Sequence, residues 1–439
     1  MHTKLTALFV PIDAVGHVNA AIGQAEVLIL AGHRVVFAVS DQWRGRLTKY
    51  GIEEVLLHYD TYDNDKDPAR EWADRLQDNG VIKKDSTAID NLINMTVNLM
   101  PYMIENAKVL DTLLAGLIPK IKPDVILVDH GFELTSVVKS GIPWVLVNSC
   151  NPLVHFDYPE LPPPLSGLPA VGHRDEWKAF RAQAVKVCQP IRDMINKYLN
   201  SKGVPLLNDN KFVMYINNSK YLNIYGYPLE LDYQDMRPLP PNWYRFDNLK
   251  RTEKGQPFDI PVTLRDRPGK LIYFSLGSMG SVDVENMKRL VTILSKSKHR
   301  FIVSKGPKHT EYELPDNMWG AATVPQIQVL SLVDLVITHG GNNTTTETFY
   351  FGKPMIVMPL LADQWDNAQR VHEKGFGIRL DAYQCSESEL LTAIDKLLND
   401  KKLIENLKTI SKRIQSDNSI AKLPELIEKL VNKHDINNN

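Results

Sequence analysis

The chain has 439 residues, which is too long for one ordinary hydrophobic core and indicates two domains. Hydrophobic residues make up 43% of it, a fraction that excludes a disordered chain. The 51 basic and 52 acidic residues leave a formal net charge of -1, so no basic surplus favours nucleic acid or an anionic membrane. Cys150, Cys188 and Cys385 are far apart in the sequence and predict neither a disulfide framework nor a metal site.

Nothing in the sequence predicts export or membrane insertion. The strand-like run at residues 5–10 is too short for the apolar region of a signal peptide, and no small-residue cleavage site follows it. No window approaches the roughly 20 apolar residues that a membrane-spanning helix requires. We therefore expect a cytoplasmic protein without a membrane span.

Apolar runs alternate with helical patterns along the first part of the chain. The predicted elements are a strand at residues 5–10, a helix at 20–31, a strand at 34–39, helices at 42–50 and 88–115, strands at 124–129 and 144–148, and a helix at 176–200. Apolar strands that alternate with helices indicate a parallel sheet covered on both faces. Two Pro-rich stretches, at 151–172 and 228–241, are predicted to be irregular, and the second leads into a polar linker that reaches residue 261.

The same alternation restarts after the linker. The predicted strands lie at residues 270–276, 300–304, 335–338 and 355–358, and the helices at 284–295, 387–399, 402–413 and 424–431. This pattern predicts an α/β protein of two doubly wound, Rossmann-like domains that face each other across a cleft. We assign residues 1–240 to the amino-terminal domain, 241–261 to the linker, 262–415 to the carboxy-terminal domain and 416–439 to a final helix.

A glycine-rich turn between a strand and a helix is the most informative local feature. The buried-type strand at residues 334–338 runs into the sequence His-Gly-Gly-Asn-Asn-Thr at 339–344, where a helix is predicted to begin. The first-turn N–H groups of a helix are unpaired and its dipole favours negative charge, and Gly340 and Gly341 allow a ligand to approach the backbone. A diphosphate site is therefore predicted here, with Glu347 close enough to accept hydrogen bonds from sugar hydroxyls.

Two candidates for proton chemistry follow strands of the first domain. His17 lies in the loop after the first strand, at the carboxyl end where ligands collect, and histidine is suited to accept a proton near neutral pH. Asp129 ends the strand at 124–129 and is placed to orient an imidazole, whereas Asp124 begins that strand and points to the opposite edge. The alternatives are a structural hydrogen bond for His17 and a cap for the helix near 132–135 for Asp129.

A long and specifically spaced set of residues resembles the carboxy-terminal signature of the UDP-glycosyltransferases; its members are Pro325, Gln326, His339, Gly341, Asn343, Thr344, Glu347, Gly352, Pro354, Pro359, Asp363 and Gln364. The sequence Gly-His-Val-Asn at 16–19 resembles the first loop of that family, and the turn at Ser278 resembles its second phosphate contact. The resemblance implies the GT-B fold. It also implies acceptor binding in the first domain, UDP-sugar binding in the second, and a final helix that returns to the first.

The resemblance also implies roles for single residues. In that family the equivalents of His339, Asn343 and Thr344 hold the diphosphate, the equivalent of Glu347 binds the ribose, and the pair at 363–364 binds the transferred sugar. Asp366 and Asn367 are weaker additional candidates. The predicted nucleotide-sugar site comprises Ser278, Val324, Gln326, His339, Gly341, Asn343, Thr344, Glu347, Asp363 and Gln364.

One position departs from the family pattern. Thr323 stands two residues before Pro325, where the family usually has a Trp whose ring stacks on uracil, and Trp319 is four residues earlier. Stacking contributes about 1–3 kcal/mol per base, so this contact is expected to be missing. The main chain of Val324 is expected to read the edge of the base.

The resemblance implies an inverting hexosyltransferase in which His17 is the general base and Asp129 its partner. We expect it to move glucose from a UDP-sugar, its co-substrate, to a hydroxyl of a small lipophilic acceptor such as a phenolic, xenobiotic or macrolide-like molecule. Such a reaction would serve detoxification, and no metal or resident cofactor is expected. A UDP-sugar epimerase of related fold and a non-catalytic nucleotide-sugar binding protein are the alternatives. The helix at 94–103 and the aromatic side chains near 155–158 are interpreted as core rather than as an acceptor pocket.

Overall fold

The computed structural model describes residues 4–63, 66–207 and 212–438. Its first sheet is made of seven parallel strands, which are β1 (Thr6–Pro11), β2 (Arg34–Ser40), β3 (Glu53–Leu57), β4 (Val125–Asp129), β5 (Trp144–Asn148), β6 (Leu222–Gly226) and β7 (Trp243–Phe246). The strands lie in the order β3-β2-β1-β4-β5-β6-β7. Every residue of the central strands β4 and β5 is buried, because helices cover both faces of the sheet.

The helices of the first domain are α1 (Val15–Leu30), α2 (Pro68–Asp78), α3 (Ala88–Asn94), α4 (Met100–Ile121), α5 (Thr135–Lys139) and α6 (Arg174–Ser201). A π-helical stretch, Met95–Leu99, joins α3 to α4, so the helix predicted at 88–115 is continuous but contains wider turns. The side chain of Thr87 and that of Asp90 form a reciprocal capping box at the start of α3. Local sequence therefore fixes where this long helical segment begins.

The second sheet contains β8 (Leu271–Ser275), β9 (Arg300–Ser304), β10 (Met318–Ala321), β11 (Leu335–Thr338), β12 (Met355–Val357) and β13 (Gly377–Arg379). These strands are also parallel and lie in the order β10-β9-β8-β11-β12-β13. The strand order reverses between β1 and β4 in the first sheet and between β8 and β11 in the second. Ligands of doubly wound folds bind outside the carboxyl ends of strands at such points.

The helices of the second half are α7 (Val262–Arg265), α8 (Gly277–Gly280), α9 (Val284–Ser295), α10 (Gln326–Leu332), α11 (Asn342–Tyr350), α12 (Gln364–Glu373), α13 (Glu387–Asn399), α14 (Lys401–Asp417) and α15 (Leu423–Asn438). Two parallel sheets with helices on their faces confirm the predicted fold class. Helix α15 packs against α1, and its side chains Leu423, Ile427 and Val431 are buried in the core of the first domain. The last helix of the chain therefore packs in the core of the first domain.

Some local predictions were wrong. The helix expected at 42–50 is replaced by two 3₁₀ turns, Asp41–Trp43 and Thr48–Tyr50. Gly45 and Gly51 have φ values of +73° and +80°, which a continuing right-handed helix cannot contain. Strand β7 falls inside the predicted linker and is one of the two edge strands of the first sheet.

The segment after β7 crosses α1 at close range. A Cβ atom at Gly23 would lie 2.2 Å from the carbonyl oxygen of Leu249, so only glycine allows this crossing. The same segment then carries Arg251 toward the second domain, where it meets Glu347. Within residues 4–63, 66–207 and 212–438, no helix has the length and apolar character needed to cross a membrane.

Candidate active site

His17 and Asp129 lie where the strand order of the first sheet reverses. Pro11 pairs with Asp129 at the carboxyl ends of β1 and β4, and the loop after β1 turns directly into α1. This turn brings His17 Nδ1 within 2.9 Å of Asp129 Oδ2. Ser149, which follows β5, places its hydroxyl 2.9 Å from the same nitrogen. Both contacts involve Nδ1, so Nε2 is the nitrogen left for a substrate.

The structure does not support a helix cap for Asp129 or a contact between Asp124 and His17. Helix α5 begins after Leu134 without a side-chain cap, so Asp129 does not cap it. The Asp124 carboxylate accepts a 2.7 Å hydrogen bond from the backbone N–H of Thr6 at the opposite end of the sheet. Asp129 is therefore the carboxylate that contacts the His17 ring.

The electrostatics of His17 suit a group that exchanges a proton. Burial lowers the pKa of His17, but the charge and hydrogen bond of Asp129 outweigh burial, and Asp363 adds to them, so the pKa lies above the usual 6.5. A carboxylate on Nδ1 fixes the tautomer whose Nε2 is unprotonated in the neutral ring. The neighbouring His130 is different, because burial lowers its pKa to about 4 and keeps that ring neutral.

Two glycines make room for the His339 ring at the end of β11. A Cβ atom at Gly277 would lie 2.6 Å from His339 Cε1, and one at Gly341 would lie 2.6 Å from His339 Nε2. Gly340, which lies between His339 and Gly341 in the chain, has a φ of +85°, a left-handed value that favours glycine. Burial lowers the pKa of His339 to about 4, so the ring is neutral at neutral pH. Ser278 follows Gly277 at the start of α8.

The first turn of α11 faces the first domain. The helix begins at Asn342, directly after the glycine turn, and its first turn carries no carboxylate to occupy the free N–H groups. The side chain of Asn343 donates a 2.7 Å hydrogen bond to the carbonyl oxygen of Gly16. Because His17 follows Gly16, the helix start and the imidazole border one cleft.

Three of the predicted nucleotide-binding side chains are linked directly. The amide nitrogen of Gln326 donates to Thr344 Oγ1 at 3.2 Å and to Glu347 Oε2 at 2.6 Å, while Tyr273 donates to its oxygen. Arg251 Nη1 lies 3.7 Å from Glu347 Oε1. Burial raises the pKa of Glu347, and the nearby Arg251 and Gln326 oppose that rise. The buried Glu347 carboxylate is thus held by groups from the second domain and the linker segment.

The Asp363–Gln364 pair is engaged within the protein. Asp363 Oδ2 accepts a 2.8 Å hydrogen bond from the backbone N–H of Asn151 in the first domain. Gln364 Oε1 accepts from the backbone N–H groups of Leu360 and Leu361. These bonds leave Asp363 Oδ1 and Gln364 Nε2 as the atoms of the pair that could contact a sugar.

The weaker sugar candidates connect the two domains. The Asp366 carboxylate accepts hydrogen bonds from the backbone N–H groups of Leu165 and Gly167, at 2.7 and 2.9 Å. The Asn367 amide donates to Gly340 O and accepts from the Asn151 side chain. Both side chains therefore have structural partners across the interface.

Thr323 occupies the position at which the family usually has a Trp ring that stacks on uracil. Thr323 is exposed, and Val324 next to it is partly buried against the core of the second domain. Trp319 does not replace the ring, because it packs on Phe258 with ring centroids 5.7 Å apart. Threonine thus leaves space where a base could lie without an aromatic partner.

Residues 246–425 match the protein-family model described as UDP-glucoronosyl and UDP-glucosyl transferase. Across nearly the whole chain, 426 residues are 23% identical to the NDP-glycosyltransferase YjiC of Bacillus subtilis (strain 168), a match that covers 96% of each protein. The carboxy-terminal part of the chain is thus similar to the UDP-glycosyltransferases. A sterol 3-beta-glucosyltransferase of Komagataella phaffii is 31% identical over 160 residues, 35% of this chain but only 13% of that much longer relative.

Solved structures show that the fold of the enzyme is GT-B. The glycotransferase of kitacinnamycin superposes with a TM-score of 0.67 at 20% identity, covering 98% of this chain and 100% of that one. The glycosyltransferase VinC, crystallised with dTDP, superposes with a TM-score of 0.62 at 14% identity and covers 97% and 100%. The enzyme is a glycosyltransferase that uses a nucleotide-sugar donor, and the epimerase and binding-protein alternatives are not favoured.

The sequence did not single out several residues at this site. Ser149 and Asn151 were hidden in the stretch after β5, and their only signal was a position at the carboxyl end of a buried strand. Arg251 was part of a linker that looked merely polar. Its contact with Glu347 depends on the path of the chain across α1, which no local pattern encodes.

The aromatic side chains after β5 belong to the core, as the sequence indicated. Phe156 packs edge-on against Trp243 with centroids 4.7 Å apart, and His155 packs on the same ring. The helical segment predicted at 94–103 is different at its end, because Met103 lines a cavity of the first domain.

Proposed function

We propose that the enzyme is an inverting hexosyltransferase that moves glucose from UDP-glucose to a hydroxyl of a small lipophilic acceptor. The observation that carries the proposal is the His17–Asp129 pair, joined at 2.9 Å and bordering the cleft that the start of α11 faces. A base and an anion site on opposite sides of one cleft are what direct displacement at a sugar carbon requires.

His17 would act first on the acceptor. Its Nε2 takes the proton of the attacking hydroxyl, while Asp129 stabilises the imidazolium that forms. The acceptor oxygen bonds to the anomeric carbon as the bond from that carbon to the diphosphate oxygen breaks, which inverts the configuration. The proton ends on His17 and the electron pair on the departing UDP.

The second domain would stabilise the departing UDP. The free N–H groups and dipole of α11 favour negative charge, and Asn343 and Thr344 lie in that first turn. His339 is a neutral ring with one N–H, and it would donate that hydrogen to a phosphate oxygen in place of its backbone partner at Ser275. Ser278, which follows Gly277 at the start of α8, would add a hydroxyl donor.

The donor's ribose and hexose have separate candidate partners. Glu347, fixed by Gln326, would accept hydrogen bonds from the ribose hydroxyls. Asp363 Oδ1 and Gln364 Nε2 would bind hydroxyls of the transferred sugar, and glucose, with equatorial hydroxyls around its ring, offers both a donor and an acceptor to such a pair. The name of the Bacillus relative, NDP-glycosyltransferase, does not specify the nucleoside of the donor, so the uridine assignment rests on the expected main-chain contact of Val324.

Mass spectrometry of products formed from a panel of UDP-sugars, with and without a phenolic acceptor, tests the proposal. We expect a glycoside whose mass is raised by one hexose with UDP-glucose and acceptor present, and nuclear magnetic resonance should show a β-linkage from the α-configured donor. Epimerised UDP-sugar formed without acceptor would instead support an epimerase. Donor binding without turnover of any alcohol would support a binding protein.

A further inference from the structure

A buried amide of the second domain reaches the segment that follows β5 in the first domain. Asn342 is the first residue of α11 and is buried. Its Nδ2 donates to the backbone oxygen of Ser149 at 3.0 Å and to that of Gly226 at 3.1 Å. Ser149 directly follows β5 and Gly226 ends β6, so this one side chain bonds the carboxyl ends of two neighbouring strands.

The Asn342 amide uses its N–H groups and not its oxygen. Asn342 Oδ1 is buried and has no hydrogen-bond partner in the part of the chain that the structure describes. A buried acceptor without a partner costs free energy, so the two donated bonds are what this side chain contributes. Because the donor and its acceptors belong to different domains, both bonds form only when the domains are closed.

The hydroxyl of Ser149 meets the ring of His17. Ser149 Oγ lies 2.9 Å from His17 Nδ1, and Asp129 Oδ2 lies 2.9 Å from the same nitrogen. The carboxylate can only accept, so it favours a hydrogen on Nδ1, which the hydroxyl oxygen can share as a second acceptor. A hydroxyl that donates to Nδ1 instead favours the opposite tautomer, whose Nε2 carries the hydrogen. The position of this hydroxyl therefore bears on both the orientation and the tautomer of the ring.

Two further contacts bind the same segment to the second domain. Asp363 Oδ2 accepts from the backbone N–H of Asn151 at 2.8 Å, and Asn367 Oδ1 accepts from the Asn151 side chain at 2.9 Å. The segment thus lies between the imidazole and the second domain. A shift of α11 relative to the first sheet would move the Ser149 backbone, and the hydroxyl of that residue would move with it.

We propose that Asn342 is a positioning residue, which acts through Ser149 to orient the His17 ring when the two domains are closed. The first turn of α11 also provides the N–H groups of the proposed diphosphate site, so one helix would hold both the donor and the base in place. The inference rests on the proposed function, because it gives His17 the role of base.

A double-mutant cycle on kcat tests whether Asn342 acts through Ser149. We expect Asn342→Ala and Ser149→Ala each to lower kcat about tenfold, and the double variant to lower it about tenfold as well, because both changes disturb the same contact with His17. The Kd of UDP from calorimetry should stay within about threefold of the parent, since the Asn342 side chain bonds the first domain and UDP binds the second. Independent effects that multiply in the double variant, or a parental kcat in either single variant, would overturn the proposal.

The control is Gln384→Ala, which removes another amide between the domains. Gln384 Nε2 donates to Asp85 Oδ1 at 2.6 Å on an exposed part of the interface, and this bond involves neither Ser149 nor His17. Its loss should change kcat by no more than about twofold, because an exposed hydrogen bond contributes little. A fall as large as that in Asn342→Ala would mean that weaker closure, and not the position of His17, lowers the rate.

Nuclear magnetic resonance of the His17 ring separates this inference from the proposed reaction. The nitrogen chemical shifts of the ring are read in the UDP complex without an acceptor, at a pH where the ring is neutral, and are assigned by their loss in His17→Ala. We expect the shifts of a single Nδ1–H tautomer in the parent and in Gln384→Ala, and shifts averaged between the two tautomers in Asn342→Ala. Unchanged shifts in Asn342→Ala would contradict the positioning role even in an active enzyme. Averaged shifts in that variant, with a parent that transfers sugar to no alcohol, would contradict the proposed function alone.

Discussion

Asn343 Nδ2 donates a 2.7 Å hydrogen bond to Gly16 O, and this bond joins the first turn of α11 to the loop that holds His17. The closed arrangement of the two domains thus fixes the anion site relative to the imidazole. The Asn151–Asp363 bond adds a second contact across the cleft. A cleft closed in this way excludes water, which would otherwise hydrolyse the donor.

Replacing Asn343 should weaken both closure and donor binding. Loss of the interdomain hydrogen bond and of one diphosphate contact is expected to cost about 1–2 kcal/mol, or roughly a tenfold fall in kcat/KM for the donor. Steady-state kinetics of Asn343→Ala measures this effect. Asn98→Ala is the matched control, because the exposed Asn98 side chain bonds Asn79 O within the first domain. Equal kinetics in the two variants would argue against a role for Asn343.

Asp129 should set the position of the acidic limb in the pH dependence of kcat. His17 accepts a proton only when its ring is neutral, so the rate should rise with pH through the pKa of His17, which lies above 6.5 because of Asp129. In Asp129→Asn the charge is gone and burial dominates, so the acidic limb of kcat should move below pH 6.5. The maximal rate should fall by about 10²–10⁴ because the ring loses its orienting partner.

The control for this profile lies on the same strand. Asp124→Asn removes a carboxylate at the other end of β4, where it bonds Thr6 N, and should leave the profile unchanged. An acidic limb that stays in place in Asp129→Asn would show that another group titrates.

Thr323→Trp should strengthen nucleotide binding. The exposed position two residues before Pro325 has room for a ring, and base stacking contributes about 1–3 kcal/mol, so the Kd of UDP should fall by roughly one to two orders of magnitude. Isothermal titration calorimetry measures this change. Thr323→Leu adds apolar volume without an aromatic face and should have a smaller effect. Unaltered affinity in the Trp variant would mean that the base lies elsewhere.

Arg413 should stabilise the contact between α14 and the first domain. Its guanidinium bonds the buried Asp247 at 2.8 Å and Glu230 at 2.8 Å. Arg413→Ala leaves Asp247 with Arg245 and the backbone N–H of Leu229. We expect a loss of about 1–3 kcal/mol, toward the low end because the Arg413 side chain is 33% exposed. Lys412→Ala, an exposed neighbour, should cost far less. Urea denaturation of both variants measures the difference.

The effect of Arg413 should depend on pH. Burial raises the pKa of Asp247, but the hydrogen bonds and charges of Arg413 and Arg245 outweigh burial and hold the pKa below 3.8. A carboxyl group with a lowered pKa stabilises the fold above its unfolded pKa and loses that contribution as the pH falls through the folded value. The stability gap between parent and Arg413→Ala should therefore be full at pH 7 and shrink below pH 4. A gap that is constant down to pH 3 would contradict this ion pair.

The sequence could predict the elements whose own pattern is strong. Buried strands such as β4 and β11 are continuous apolar runs, and residues at their carboxyl ends must meet in a parallel sheet, which is why His17 and Asp129 could be paired before any coordinates. Strands β3, β6, β7, β10 and β13 were missed. Four of them, β3, β7, β10 and β13, are short edge strands, which are defined by pairing with a neighbour rather than by local sequence. Strand β6 lies between β5 and β7 but is only five residues long.

Sequence patterns could not predict the contacts between the two domains. The partners of Asp363 and Asp366 are backbone N–H groups of the first domain, and backbone donors carry no sequence signature.

The most direct test of the account is the rate of sugar transfer by His17→Ala, measured together with UDP binding. Without its base the enzyme should lose about 10²–10⁴ of its kcat, while calorimetry should give the parent Kd for UDP, because the diphosphate site lies on the second domain. The matched variant His173→Ala, which removes an exposed histidine paired with Glu176, should behave as the parent. A His17→Ala enzyme that transfers sugar at the parental rate would contradict the central claim that this imidazole removes the acceptor's proton.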